Sequence, residues 1–215
     1  MSSTSLLLAR HGRTEANARG VLLGREDPPL DDTGEAQAAA LAGALASERF
    51  APLVAVVSSP LRRTRRTAEH IAAVAGLEVQ VDDRLIELDY GEFEGMPVGG
   101  LPQETWLEWQ TDVDFRPPGG ETLSELGARV RDCCVHWAEL VAELAAESAS
   151  VPGGGGANVV LVSHVSPIKA AVAWALDAGD DLAWRAHLDP ASLTRVLLRG
   201  GRPALGLFNE TAHLQ

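Results

Sequence analysis

The chain has 215 residues, 46% of them hydrophobic and 22% charged, a composition that supports a buried core and excludes a disordered, fibrous or disulfide-stapled chain. Eighteen Lys and Arg against thirty Asp and Glu leave a formal charge of −12, which repels phosphodiester backbones and argues against nucleic acid as a partner. Any anion bound here must be held by a local cluster working against the overall field.

The N-terminus, Met1-Ser-Ser-Thr-Ser5, has no basic stretch, and the apolar run from Leu6 to Ala9 stops at Arg10, so it does not read as a signal peptide. The longest apolar run, Ala170 to Leu176, falls far short of the ~18 residues of a membrane span. Cys133 and Cys134 are adjacent, which fits neither a disulfide framework nor a C-x-x-C zinc site. The expectation is a cytoplasmic protein with no membrane partner, no metal and no cofactor.

In chain order, Leu6 to Ala9 reads as a first buried strand. Asp31 is placed to cap an alanine-rich helix running to about Ser47. Leu53 to Val57 is a second strand, after which Ser59 offers an N-cap, Pro60 a first helical position and Gly76 a stop for a helix through Ala75. Leu123, Leu126, Val130, Cys133, Trp137, Leu140 or Val141, and Leu144 recur at spacings of three and four, which predicts a long amphipathic helix from about Thr122 to Glu147. Ser150 to Gly156 is a glycine-rich internal loop. Val159 to Val162 is a third strand, followed by a helix start at Ser166-Pro167. Ser192 to Leu198 and Ala204 to Phe208 form two closing strands around Gly200-Gly201. This alternation predicts one α/β domain over residues 1–215, a three-layer sandwich with a mainly parallel central sheet and helices on both faces.

Ligands of open α/β sheets bind at the carboxyl ends of the strands. The first strand ends in Arg10-His11-Gly12, the second in Ser58-Ser-Pro-Leu-Arg62-Arg63 and the third in Ser163-His164. Two imidazoles and several guanidiniums therefore converge on one edge of an acidic protein, which describes a phosphate or sulfate pocket. A guanidinium grips two phosphate oxygens and keeps its charge at working pH. A neutral imidazole among those cations adds a competent nucleophile.

Leu8-Ala-Arg10-His11-Gly12-Arg-Thr14-Glu-Ala-Asn17, with Gly24-Arg-Glu-Asp-Pro-Pro-Leu30 and Gly34-Glu-Ala-Gln37-Ala38, resembles the opening of the histidine phosphatase superfamily, which has the phosphoglycerate-mutase-like fold. Ser58-Ser-Pro-Leu-Arg-Arg63-Thr-Arg-Arg-Thr67-Ala68-Glu69, Arg84-Leu-Ile-Glu87-Leu-Asp-Tyr-Gly91-Glu-Phe-Glu-Gly95 and Val162-Ser-His164 resemble its later blocks in order. Pro118-Gly-Gly-Glu121-Thr122, Ser163-His-Val-Ser-Pro-Ile-Lys169 and the segment from His187 to His213 are most similar to the acid-phosphatase half of actinobacterial bifunctional ribonuclease H/acid phosphatases, a branch similar to α-ribazole phosphatase.

The resemblance implies that His11 accepts the phosphoryl group, that Arg10, Arg63 and His164 clamp it, and that Glu87 is the proton donor. It further implies that Asn17 binds phosphate and that Thr14 lines the same loop. The implied partners are a small-molecule phosphomonoester and inorganic phosphate. The implied reaction is metal-independent hydrolysis through phosphohistidine, set against two alternatives: phosphoglycerate-mutase-like transfer and a non-catalytic phospholigand-binding module. The sequence leaves the physiological substrate and the oligomeric state open.

Two departures from the family pattern stand out: Val165 replaces the usual glycine after the second histidine, and Arg13, beside His11, offers a second anion contact. His70 and His136 read as structural or exposed, and His187 and His213 as packing or substrate contacts. Trp106 and Trp109 are candidates to wall the substrate pocket.

Overall fold

The computed structural model describes residues 4–149, 156–200 and 202–215. The glycine-rich stretch at 150–155 and Gly201 lie outside the described residues. Six strands form one sheet: β1 (Ser5–Arg10), β2 (Leu53–Ser58), β3 (Val79–Val81), β4 (Asn158–Ser163), β5 (Leu193–Arg199) and β6 (Arg202–Glu210). Their order is β3-β2-β4-β1-β5-β6, with β3, β2, β4 and β1 parallel to one another and β5 antiparallel to both of its neighbours, β1 and β6.

Helices α1 (Glu15–Arg19), α2 (Asp32–Leu45), α3 (Arg62–Ala75), α4 (Gln103–Thr111), α5 (Leu123–Ala149) and α6 (Val165–Leu176) supply the outer layers. The pleat divides the core between the two faces. Leu6, Leu8, Val57, Val159 and Leu161 point toward Val130, Cys133 and Val141 of α5 and Ile168 and Ala171 of α6. Leu7, Ala9, Val56, Val160 and Val162 meet Leu41 and Leu45 of α2 and Ala68 and Ile71 of α3. Because the central strands are covered on both faces, they read as continuous apolar runs with no polar alternation.

Asp31 caps α2 as expected, its side chain accepting from Gly34 N, and Gly76 closes α3 with φ 67°. The start of α3 differs from expectation. The helix begins at Arg62 behind Leu61, with no side-chain cap. Ser59 is still held on the sheet, its N–H donating to Val162 O at 3.0 Å, and its hydroxyl is engaged by His164. A tertiary partner thus replaces the local cap. The short elements α1, α4 and β3 were not among the expected ones; β3 is a three-residue edge strand whose residues are largely exposed. Among the described residues no helix is long and apolar enough to cross a membrane.

Candidate active site

Parallel register carries the strand ends to one line. Arg10 pairs with Ser163 across β1 and β4, and Ser58 with Val162 across β2 and β4. The residues that follow, His11, Ser59 and His164, therefore emerge together, and His11 N–H donates to Ser163 O at 3.1 Å.

His11 is 3% exposed and its Nδ1 lies 2.7 Å from Gly12 O. A carbonyl only accepts, so Nδ1 carries the proton and Nε2 keeps its lone pair. Burial first, then the charges of Arg63 and Arg10, hold the imidazole well below its usual 6.5. It stays neutral and nucleophilic in mildly acidic solution. Gly12 is required at this turn: a Cβ there would sit 2.3 Å from Gly34 O, inside backbone that cannot yield. Arg10, at the end of β1, donates from Nη1 to Leu188 O at 2.5 Å, while its buried Nε has no acceptor among the described residues. Burial lowers its pKa to about 10, which leaves it charged at neutral pH.

Arg63, in the first turn of α3, is fully buried and donates in three directions: Nε to His164 Nδ1 at 3.2 Å, Nη1 to Glu26 O at 2.7 Å and Nη2 to Gly24 O at 2.8 Å. The loop offering those carbonyls is itself fixed by Glu94, which accepts from Gly24 N and Arg25 N at 2.6 and 2.9 Å. Since His164 Nδ1 accepts from Arg63, the proton sits on Nε2, which donates to Ser59 Oγ at 2.7 Å. Burial and the Arg63 charge keep His164 neutral, well below 6.5. The His11 and His164 rings meet edge to face with centroids 5.1 Å apart.

Glu87 is 3% exposed. Its carboxyl sits at the N-terminus of α6, accepting from Ser166 N at 3.2 Å and from Leu88 N at 2.7 Å. Burial raises its pKa, against the opposing pull of those N–H groups and of Arg63 and Arg10. Its backbone is tied down by Arg129 of α5, which donates to Arg84 O at 2.6 Å and Glu87 O at 3.3 Å and is paired with Glu121 at 2.7 Å.

Asn17 and Thr14 form a capping box at α1, with Asn17 Oδ1 accepting from Thr14 N at 3.0 Å and Thr14 Oγ1 accepting from Asn17 N at 3.2 Å. With its oxygen so engaged, Asn17 has its NH₂ left to offer the cleft. A cleft of about 290 Å³ is lined by Arg10, His11, Asn17 and Glu87, with Tyr90, Trp106, Val165, Lys169 and Trp184 among its walls. Of the expected site residues, Thr14, Arg63 and His164 lie behind that wall, each with 0% exposure.

Arg13 does not supply the second anion contact. It is turned away into an ion pair with Asp31 at 2.9 Å and a hydrogen bond to Thr33. Trp106 walls the cleft, whereas Trp109 is 1% exposed in the core behind it. His70 pairs with Glu35, His136 packs edge-on against Trp137, His187 faces Asp189, and His213 Nε2 lies 2.9 Å from Ala191 O. Ser59, Tyr90, Lys169 and Trp184 were not anticipated. Lys169 carried a signal, because it follows Val165 by four positions and must share its helix face. Among the described residues, no group of three or more His, Cys, Asp or Glu is arranged to hold a metal ion.

A sequence profile of the Histidine phosphatase superfamily (branch 1) matches residues 6–211. The chain belongs to that superfamily. It is 38% identical over 215 residues to Bifunctional protein Rv2228c of Mycobacterium tuberculosis (strain ATCC 25618 / H37Rv), covering 98% of this chain and 55% of that protein. It is 32% identical over 220 residues to Phosphoserine phosphatase 1 of Hydrogenobacter thermophilus (strain DSM 6534 / IAM 12695 / TK-6), covering 97% of this chain and 93% of that one. The solved structure of mycobacterial glucosyl-3-phosphoglycerate phosphatase Rv2419c with inorganic phosphate superposes with a TM-score of 0.77 at 31% identity, covering 99% of this chain and all of the other. The superfamily's fold is therefore the fold of this chain, an α/β sandwich of the phosphoglycerate-mutase-like kind.

Proposed function

We propose that residues 1–215 act as one domain that hydrolyses small-molecule phosphomonoesters in two steps through phosphohistidine. The observation that carries this reading is the state of His11, a neutral imidazole with Nδ1 anchored on Gly12 O and its Nε2 lone pair free at a cleft lined by Arg10, Asn17 and Glu87. Nε2 attacks phosphorus in line as the ester bond breaks. Arg10, which lines the cleft, stabilises the charge on the equatorial oxygens, while Arg63 and His164, buried behind that wall, add the Arg63 charge and hold the site in order around His11. Glu87, whose protonated form is favoured by burial, gives its proton to the leaving oxygen, and as carboxylate then takes a proton from the water that cleaves phosphohistidine and releases inorganic phosphate.

Every role here uses a side chain of the protein, with no metal or cofactor invoked. A reducing cytoplasm suits the two buried free thiols, Cys133 and Cys134. The test is a rapid quench during turnover of p-nitrophenyl phosphate. The protein should carry an acid-labile, alkali-stable phosphate that His11→Ala abolishes together with activity. Activity surviving in His11→Ala, or lost to EDTA, refutes the mechanism.

A further inference from the structure

The closing segment from His187 to His213 has no place in that mechanism, yet it grips both residues at the end of β1. Arg10 N–H donates to Ser192 O at 3.0 Å, Ala191 N–H donates to His11 O at 3.0 Å, and Arg10 Nη1 reaches Leu188 O at 2.5 Å. With Nη1 held there and Nε without an acceptor among the described residues, the rest of the guanidinium is open to the cleft that Arg10 lines. The aim of the fork therefore depends on where Leu188 O is placed.

The last strand places it. Between the pairs Leu193–Glu210 and Arg195–Leu207, Phe208 and Asn209 of β6 together stand opposite Thr194 of β5. In this bulge Asn209 takes a left-handed conformation, φ 51°, which asparagine tolerates better than most residues. Its amide meets the residue after Leu188 twice: Oδ1 accepts from Asp189 N at 2.8 Å and Nδ2 donates to Asp189 Oδ2 at 2.9 Å. Both bonds need a donor and an acceptor on one short stem, which is what asparagine supplies. Asn209 N–H is itself tied to Thr194 Oγ1 at 3.2 Å, so the amide is anchored to the sheet.

The Asp189 carboxyl also faces His187 at 3.1 Å, but that imidazole is 80% exposed and holds it weakly. The Asn209 hydrogen bond comes first among the effects that keep this carboxyl below its usual pKa. The Asp189 charge in turn joins Glu87 in opposing the fall in the Arg10 pKa that burial causes. Neither Asn209 nor Asp189 lines the cleft, so neither touches a bound ester.

We propose that Asn209 is a positioning residue for phosphoryl transfer: by clasping Asp189 it fixes Leu188 O, and with it the aim of the Arg10 guanidinium at the transferred group. The inference rests on the phosphatase reading and adds to that site a support from outside the cleft.

The experiment is a double-mutant cycle between Asn209 and Arg10. Asn209→Gly removes the amide and keeps the left-handed backbone without strain. It should lower kcat/KM for p-nitrophenyl phosphate by roughly 10- to 100-fold, the cost of a misaimed catalytic group. KM should rise as kcat falls, whereas a smaller folded fraction would lower kcat at unchanged KM. In an Arg10→Met background the same substitution should change kcat/KM by no more than about twofold, because its route to the reaction is already gone. Asn209→Asp sets two carboxylates face to face and should be as damaging. Combining it with Asp189→Asn exchanges the partners and should recover most of the rate.

A loss that persists in full in the Arg10→Met background would make Asn209 a general support of the fold and overturn the proposal. So would an Asn209→Gly protein within about twofold of wild type, or an exchanged pair no better than Asn209→Asp alone. Should no ester turn over, the phosphatase reading fails by itself, and calorimetric titration with inorganic phosphate runs the same cycle. There Asn209→Gly should weaken binding in the wild-type background and leave Arg10→Met unaffected. Equal phosphate affinities of wild type and Asn209→Gly, or no phosphate binding by wild type, overturn the positioning role independently of hydrolysis.

Discussion

Replacing Arg63 by lysine keeps the positive charge and removes the fork, which separates charge from geometry at this site. The guanidinium serves His164 Nδ1, Gly24 O and Glu26 O together. An ammonium on a flexible stem reaches one of these, two at most. Glu26 is exposed, so water can take over at its carbonyl, whereas Gly24 and His164 are buried. One buried acceptor is then left without a donor, at a cost of about 1 to 3 kcal/mol. For a chain of this size that corresponds to a fall in Tm of roughly 2 to 12 °C. If the orphan is His164 Nδ1, the ring is also freed from the tautomer that donates to Ser59, and the order around His11 is lost with it. Loss of one preorganised donor of this kind typically lowers kcat by about 10²- to 10³-fold. Calorimetric melting and steady-state hydrolysis of p-nitrophenyl phosphate read both quantities on one preparation. A Tm within about 1 °C of wild type together with kcat within about threefold would show that Arg63 acts as a charge alone, and the three-way geometry would carry no weight.

Glu87→Gln should cut turnover of alkyl phosphates by about 10²- to 10⁴-fold and the burst of p-nitrophenolate much less, because a phenolate needs little protonation; equal losses would move the acid elsewhere. Burial raises the Glu87 pKa above its usual 4.5, so alkyl-ester kcat/KM should fall as pH rises through the folded value, and that limb should vanish in the variant. The same shift makes the carboxyl's contribution to stability fully present below 4.5 and lost as pH rises through the folded pKa. Urea titrations from pH 4 upward should therefore show a smaller decline for Glu87→Gln than for wild type. Gly12→Ala should destabilise by about 1 to 3 kcal/mol through overpacking and should depress activity further by displacing His11, since the new Cβ meets Gly34 O at 2.3 Å. An active, undisturbed Gly12→Ala protein would contradict the close approach.

The central strands and the line of catalytic candidates follow from local sequence. Runs such as Leu6 to Ala9 and Val159 to Val162 are apolar throughout because both sheet faces are covered, and each ends at the first basic or hydroxyl residue, Arg10 or Ser163, which stays buried at the site. That is why His11 and His164 could be placed at one sheet edge before any contact was known. The period of three and four in α5 specified its buried face in the same way. Edge strand β3 and helix α4 escaped notice because a short exposed element has no such apolar signature. Polar partners followed a different rule. Ser59 has the composition of a helix cap, yet its hydroxyl belongs to His164, 105 positions away. Arg13 looked like an anion contact beside His11, yet Asp31 claims it. Spacing along a chain determines which side chains share a face, since that depends only on the repeat of a helix or strand. Which donor meets which acceptor depends on how separate elements dock, and packing between β1, β4, α3 and α6 alone made Arg63, Ser59 and His164 a connected network.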